Sequence, residues 1–247
     1  MTRGEDGSEE EETSPVEFLA YDEPSDCPYL PGLVARMPLR MQLRRLSHAE
    51  FDERLAAGDR RTGPMLYKPD CPACQACEPI RIVAADYRPN ATQRRLLRRG
   101  SELITMQVQP AVIDDQRVEL FNLHRELRSL TAGESHLDAE GYESFLTLSC
   151  CDTREIAYYL DETLVGIAII DVGASAISAV YTFYDPRVKE VSLGTYSVLQ
   201  EIALCTTLGK KWLYLGYYVS QSEHMRYKGN YLPHERLIGG EWREFRK

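Results

Sequence analysis

A chain of 247 residues, 43% of them hydrophobic, is long enough to bury one large core or two ordinary ones. It has no apolar run of roughly 18 residues, which excludes a membrane-spanning helix, and its opening Met1-Thr-Arg-Gly-Glu-Asp6 with Glu9 to Glu12 is the reverse of a basic, then apolar, secretion signal. The net charge of −9 argues against a general nucleic-acid binder, but the first twelve residues contribute −5 of it, so any polyanion partner must be met by local charge.

A cytoplasmic protein is therefore expected, with seven cysteines that are reduced or metal-bound, an odd number being a poor disulfide framework. Neither a membrane nor DNA is expected as a partner. Residues 1–24 combine a glutamate run with Thr, Ser and Pro and lack periodic apolar positions, so they read as a disordered acidic tail.

Cys27-Pro-Tyr-Leu-Pro-Gly32 is turn-like, because two prolines fix φ and glycine allows a tight reversal. An arginine-bearing strand is expected from Ala35 to Leu46, then a short helix opened by a capping box of Ser47 and Glu50 and stopped at Gly58. A turn at Thr62-Gly-Pro64 leads to a strand from Met65 to Lys68 and then to Cys71-Pro-Ala-Cys74-Gln-Ala-Cys77. Two-residue spacing suits thiolate ligation, and Cys27 from the upstream loop would make a fourth ligand, so an iron-sulfur cluster or zinc on Cys27, Cys71, Cys74 and Cys77 is the metal expectation. The alternative is a reduced knuckle whose thiols pack as small apolar groups. Cys150, Cys151 and Cys205 fall at apolar positions or helix ends and read as core.

Pro79 to Val83 alternates, so Arg81 faces away from Ile80 and Ile82. The next stretch is dense in arginine: from Arg81 to Arg99 six arginines oppose one acid, Asp86. From Thr92 the pattern is helical, with Leu96 and Leu97 inward, Arg94, Arg95, Arg98 and Arg99 over the other faces and Gly100 as the stop; such a face suits phosphates, while a solvated helix surface is the plainer alternative. A strand from Leu103 to Val108, helices over 111–130 and 138–149, and antiparallel strands over 155–160, 164–172 and 177–184 follow. Ser192-Leu-Gly194-Thr195 opens a long helix to Leu208, Trp212 to Leu215 is a strand, and the segment from His234 to Phe245 contains an edge strand.

This order predicts an α+β, GNAT-like acyltransferase domain, a mixed and largely antiparallel sheet with flanking helices, over residues 101–247. A smaller cysteine-containing domain over 25–100 precedes it. No arginine- or glutamine-led glycine loop precedes Ser192, which disfavours coenzyme A, but a helix start with Ser192, Gly194 and Thr195 offers free N–H groups to an anionic or hydroxyl-rich ligand. Tyr214-Leu-Gly-Tyr-Tyr218 and Met225-Arg-Tyr-Lys-Gly-Asn-Tyr231 interleave tyrosines with Arg226 and Lys228, a pattern for stacking an adenine and pairing a carboxylate, or else for sheet packing.

Five segments resemble, in order, the aminoacyl-tRNA-protein transferases: Cys27 to Gly32, Tyr67 to Arg81, Arg88 to Arg95, Ala179 to Pro186 with Ser192 to Thr195, and Tyr214 to Tyr217 with Met225 to Lys228. Size and wording are closer to the bacterial aspartate/glutamate leucyltransferase branch than to the longer arginyltransferases. The resemblance departs at Leu33, Asp70, Arg187, Ser222 and His124. It implies transfer of leucine or arginine from aminoacyl-tRNA, the co-substrate, to the α-amine of proteins beginning with Asp or Glu, which marks them for degradation, and no cofactor for the chemistry. Arg94, Arg95, Arg98 and Arg99 would then meet tRNA. Tyr217, Lys228 and Tyr181 would form the catalytic pocket, and Arg81, Tyr29, Arg36, Ser192, Gly194, Thr195, Tyr227 and Arg226 would bind substrate, with Arg81 or Lys228 as countercharge to the acidic acceptor. A coenzyme-A-dependent N-acetyltransferase and a non-enzymatic metal-knuckle RNA-binding module are the alternatives.

Overall fold

The apolar run Leu164 to Ile170 is buried at every residue, as a strand must be when both faces of its sheet are covered. In the computed structural model, which describes residues 17–130 and 136–246, this run lies in strand β10 of an eight-stranded sheet.

The N-terminal strands are β1 (Glu17–Tyr21), β2 (Ser25–Asp26), β3 (Val34–Ala35) and β4 (Leu39–Gln42). Helix α1 (His48–Ala56) leads to the hairpin β5 (Arg60–Thr62) and β6 (Met65–Tyr67), then to β7 (Glu78–Val83), α2 (Ala91–Leu103) and β8 (Ile104–Pro110). Helices α3 (Asp115–Leu127) and α4 (Ala139–Tyr142) precede β9 (Asp152–Leu160), β10 (Thr163–Val172) and β11 (Ala176–Tyr184). The chain closes with α5 (Leu193–Thr207), β12 (Trp212–Tyr218), α6 (Glu223–Arg226), β13 (His234–Ile238) and β14 (Glu241–Phe245).

The large sheet has the order β14-β13-β7-β12-β11-β10-β9-β8, and a smaller one the order β1-β4-β6-β5. Only β11 and β12 of the large sheet run parallel, joined by α5; the other neighbours are antiparallel. The expected α+β, GNAT-like arrangement, a mixed and mostly antiparallel sheet flanked by helices with a small cysteine-bearing N-terminal part, is what the chain forms.

One face of the large sheet packs Ile80, Ile82, Ile156, Ile170 and Leu213 against α5 and α2. The other face packs Ile167, Ile169 and Phe183 against Leu120 and Phe121 of α3, while Phe51 and Leu55 of α1 meet Leu66, Ala176 and Tyr214. Cys150, Cys151 and Cys205 are buried in these cores, as their positions predict. Among the described residues no helix is long and apolar enough to cross a membrane.

Several sequence expectations change. Residues 1–16 of the expected tail lie outside the described residues, but Glu17–Tyr21 is a strand, not tail: the Glu17 carboxylate accepts from Gln42 at 2.6 Å and Arg54 at 2.8 Å, partners that only the fold supplies. Pro38 interrupts the expected strand over 35–46, leaving β3 and β4. The division at residue 100 falls inside α2, and β7 already belongs to the large sheet, between β12 and β13. Gly100 does not stop α2. It makes room for Tyr196 of α5, whose ring would lie 2.1 Å from a Cβ there. The helix over 138–149 shortens to α4 and one wide turn, because the carbonyls of Leu146 and Leu148 turn to the Arg61 guanidinium.

Helix α5 buries one carboxylate, Glu201, at 0% exposure in an apolar core. One of its oxygens accepts from Ser197 Oγ at 2.9 Å and the other has no partner. Burial therefore pushes its pKa from 4.5 up to about 7, and Tyr158, Tyr227, Tyr231 and Cys205 around it carry no compensating positive charge. A raised carboxyl favours folding below its unfolded pKa, and that contribution, about 3 kcal/mol, is lost as pH rises from about 4.5 through about 7. Thermal unfolding of Glu201→Gln beside the parent chain should give nearly equal midpoints at pH 5 and a clearly higher midpoint for the variant at pH 8; parallel pH profiles would refute the buried-charge account.

Candidate functional site

The parallel strands β11 and β12 pair only over Ala176–Ser178 and Trp212–Tyr214, then diverge. Beyond that point β12 carries an extra residue against β7, with Gly216 at φ +77°. This bulge sets Tyr217 against Gly58 and Tyr67 of the small-sheet region, and the site forms where the two sheets meet.

Tyr217 is 2% exposed; its hydroxyl donates to the Gly58 carbonyl at 2.9 Å, and its ring lies 6.0 Å from that of Tyr67. Its phenol is pushed well above the usual tyrosine range by burial, so it remains a donor, but the donor is already used. Lys228 follows the short α6 in a half-buried turn; its Nζ donates to the Tyr217 carbonyl at 2.9 Å and lies 3.7 Å from Met225 Sδ. A Cβ on Gly216 would sit 3.5 Å from that Nζ. Burial, reinforced by the Arg60 charge, pushes the Lys228 ammonium down to about 7.

Sequence reasoning passes over Arg60 altogether. It is 4% exposed, donates to the carbonyls of Asp59 at 2.5 Å, Leu55 at 3.4 Å and Gly216 at 3.1 Å, and lies over the rings of Tyr214 and Tyr217. Its only sequence signal is the Arg60-Arg61 pair ahead of the Gly63 turn.

Tyr217 also walls a cavity of about 360 Å³ that the four cysteines line together with Leu30, Met37, Lys68, Pro79 and Ile238. The fold thus gathers Cys27, Cys71, Cys74 and Cys77, all free and half-buried, and burial with the nearby thiols pushes Cys77 up to about 12. Among the described residues, however, no three His, Cys, Asp or Glu side chains are grouped to hold a metal ion. The expected cluster or zinc thus finds no ready-made ligand set in this arrangement.

Two expected substrate contacts are occupied within the chain. Arg81 is sandwiched between Trp212 and Trp242, at 3.7 and 3.9 Å from the ring centres, with Nε donating to Glu235 at 2.7 Å and Nη1 to the Tyr214 hydroxyl at 3.0 Å. Arg36 clamps Asp22 at 2.5 Å and Asp70, tying the first loop to the cysteine knuckle. Tyr29 is half-buried, its hydroxyl paired with that of Tyr67. Tyr181 joins Phe121, Phe145 and Phe183 in the α3 core, apart from Tyr217 and Lys228.

The remaining residues form one continuous strip. Ser192, exposed, begins α5; the Tyr184 ring covers Gly194; and Thr195 pairs with the Tyr231 hydroxyl, just beyond the Lys228 turn. Tyr227 is 45% exposed beside it, and Arg226 is exposed with only Glu223 at 3.5 Å. The contact of Gly100 with Tyr196 sets α2 against the first turns of α5, and Arg94, Arg95, Arg98 and Arg99 face solvent there, the first, second and third around one open hollow. α2 begins at Ala91 behind a capping box of Asn90 and Gln93, one residue before the Thr92 expected from the pattern.

Two family models match the chain, "Arginine-tRNA-protein transferase, N terminus" over residues 25–95 and "Arginine-tRNA-protein transferase, C terminus" over 116–238. Curated relatives named aspartate/glutamate leucyltransferase include one from Chromobacterium violaceum, 34% identical over 89% of this chain and 90% of the relative, and one from Thiobacillus denitrificans, 36% identical over 88% and 90%. Among solved structures, a conserved protein of unknown function from Bacteroides thetaiotaomicron aligns with TM-score 0.47 at 11% identity over 65% of this chain and 57% of that one.

The Trp212–Arg81–Trp242 stack predicts a structural role. Arg81→Gln should lower stability by about 2–4 kcal/mol in urea unfolding, and any remaining folded protein should bind peptides as the parent does; a variant of unchanged stability would refute the assignment.

Proposed function

The chain belongs to the arginine-tRNA-protein transferase family, and from that premise we propose that it transfers leucine from leucyl-tRNA to the α-amine of proteins beginning with Asp or Glu. The observation that carries this reading is the likeness, over about nine-tenths of both chains, to relatives named aspartate/glutamate leucyltransferase. The modified protein would be marked for degradation, and the reaction belongs in the cytoplasm, where charged tRNA and acceptor proteins meet.

The chemistry needs position more than a nucleophile. The donor ester is already activated: the acceptor nitrogen attacks its carbonyl carbon, an amide forms, the bond to the ribose oxygen breaks, and the proton lost by the amine balances the one gained by that oxygen. An α-amine with pKa near 8 is partly neutral at pH 7, so holding it against the ester supplies much of the rate. The strip from α2 to Lys228 suits this task. Arginines 94, 95, 98 and 99 would hold tRNA phosphates, the free N–H groups at Ser192 to Thr195 with Tyr227 would take the terminal adenosine, and Lys228 would face the acidic acceptor. Arg81, with its charge met by Glu235, is no longer the better countercharge.

Purified protein should pass labelled leucine from leucyl-tRNA to peptides beginning with Asp or Glu and not to one beginning with Lys. Arginyl-tRNA and acetyl-coenzyme A, tested side by side, should serve poorly; transfer from acetyl-coenzyme A alone would overturn the reading. Reversing charge at Arg94, Arg95 and Arg98 together should raise KM for leucyl-tRNA about tenfold or more near 0.1 M salt and flatten the salt dependence of binding by about two to three in log–log slope, while leaving kcat at saturating tRNA within a few-fold. Unaltered tRNA affinity would remove their phosphate role.

A further inference from the structure

Among the described residues, the buried Arg61 and Arg117 and the largely buried Arg81 each meet a carboxylate. Arg61 meets Asp171 at 2.6 Å, Arg81 meets Glu235 at 2.7 Å, and Arg117 meets Glu155 at 2.6 Å. Arg60 has no such partner: its donors reach carbonyls and tyrosine rings, and its Nε is buried without any hydrogen bond. The adjacent Asp59 carboxylate is drawn to Arg40 at 2.5 Å and Arg54 at 3.6 Å on the other side of the strand. Lys228, the second cation here, rests on a carbonyl and a thioether and also lacks a carboxylate.

Two cations set close together out of water repel each other and lose hydration, an arrangement stable only at a cost unless an anion completes it. The charged groups at the nearby cavity do not relieve it. Lys68 donates to the Ala57 carbonyl, and the cavity carboxylates Asp70 and Glu78 are matched by Arg36 and Arg236. Gly216, at φ +77°, lies beside both cations: its carbonyl accepts from Arg60 at 3.1 Å, and Lys228 Nζ lies 3.5 Å from where its Cβ would stand.

We propose that Arg60 and Lys228 form the subsite that binds the carboxylate of the acceptor's first side chain, with Arg60 as the specificity-determining residue that requires an acid there. The inference rests on the transferase reading and assigns its acceptor subsite. The chemistry matches: one carboxylate presents two oxygens, one for the free Arg60 Nε–H and one for the Lys228 ammonium. Arg60 is fixed by three carbonyls and two rings, whereas Lys228 has a four-carbon flexible stem, so the pair tolerates the extra methylene of Glu over Asp while rejecting a neutral side chain.

The test uses the full chain with leucyl-tRNA and four peptides identical except for a first residue of Asp, Glu, Asn or Gln. The parent should favour the acids by about tenfold or more in kcat/KM. Arg60→Gln and Lys228→Gln should each cut that ratio to about threefold or less through KM for the peptide, leaving KM for leucyl-tRNA within about twofold, and Arg60→Lys should recover part of the preference. Fluorescence anisotropy of labelled Asp and Asn peptides without tRNA should show the same loss. Folding is checked by thermal unfolding; if Arg60→Gln does not fold, Arg60→Lys and Lys228→Gln decide the matter. An unchanged acid-to-amide ratio in the folded variants overturns the proposal, as does a raised KM for leucyl-tRNA with the ratio intact, which would assign the anion to a donor phosphate. A parent chain that transfers leucine to no peptide sinks the transferase reading instead, and the peptide-binding preference then still accepts or rejects the carboxylate subsite.

Discussion

The ion pair of Arg61 with Asp171 is the constraint on which the geometry of the site depends. Both side chains are essentially excluded from water, at 1% and 0% exposure, and Arg61 spends its other donors on the carbonyls of Gly63, Leu146 and Leu148 while Thr153 holds the far oxygen of Asp171. A buried pair of this kind adds little net stability over an apolar packing, but it fixes register, because removing or shifting one partner strands the other charge. Here it pins the small sheet to β10. Strand alternation does the rest: with Arg61 committed to one face of β5, Arg60 must point to the other, toward Gly216 and Tyr217.

The second constraint is topological. β11 and β12 are parallel and pair over three residues, after which nothing holds them together, and the bulge at Gly216 turns the end of β12 toward the small sheet. α5 starts beside that opening, Tyr231 reaches back to Thr195, and α2 leans on α5 through the contact that only glycine at 100 allows. The fold thus sets an arginine-covered helix against a helix N-terminus, with Tyr231 linking that N-terminus to the turn that carries Lys228. A charged acyl donor and an acidic acceptor need such an arrangement, and the reaction between them needs little else, since the ester supplies the activation.

The cysteines and Arg81 show how a strong sequence pattern can carry a structural duty. Three cysteines at two-residue spacing do converge with Cys27, but on the wall of a cavity, with the Cys77 thiol held neutral by burial and by its neighbours. Arg81 is placed by its alternation as predicted, on the face opposite Ile80 and Ile82, and what waits there is a pair of tryptophans and Glu235. Its charge holds β7, β12 and the C-terminal hairpin together. Arg60, in the polar strand β5, offers no such pattern, and only its surroundings show that no carboxylate meets it.

The sequence by itself determined the elements and their order, because hydrophobic period, capping residues and turn glycines act within a few residues: the Ser47 and Glu50 box, the three strands from 152 to 184 and the helix after Ser192 all stand where those local signals put them. It also determined the family, through motifs that keep their order along the chain, and the exposure of the α2 arginines, which follows from the helical spacing of Leu96 and Leu97. Only the tertiary structure decided which charges are free. Whether an arginine finds a carboxylate depends on residues far away in the chain, 110 positions for Arg61 and 154 for Arg81, and pairing over such separations leaves no local pattern to read. Arg60 and Arg61 are neighbours of the same type in the same strand, and it is the contact of each with a different strand of the large sheet, β12 for Arg60 and β10 for Arg61, that makes one a clamp and leaves the other without a carboxylate.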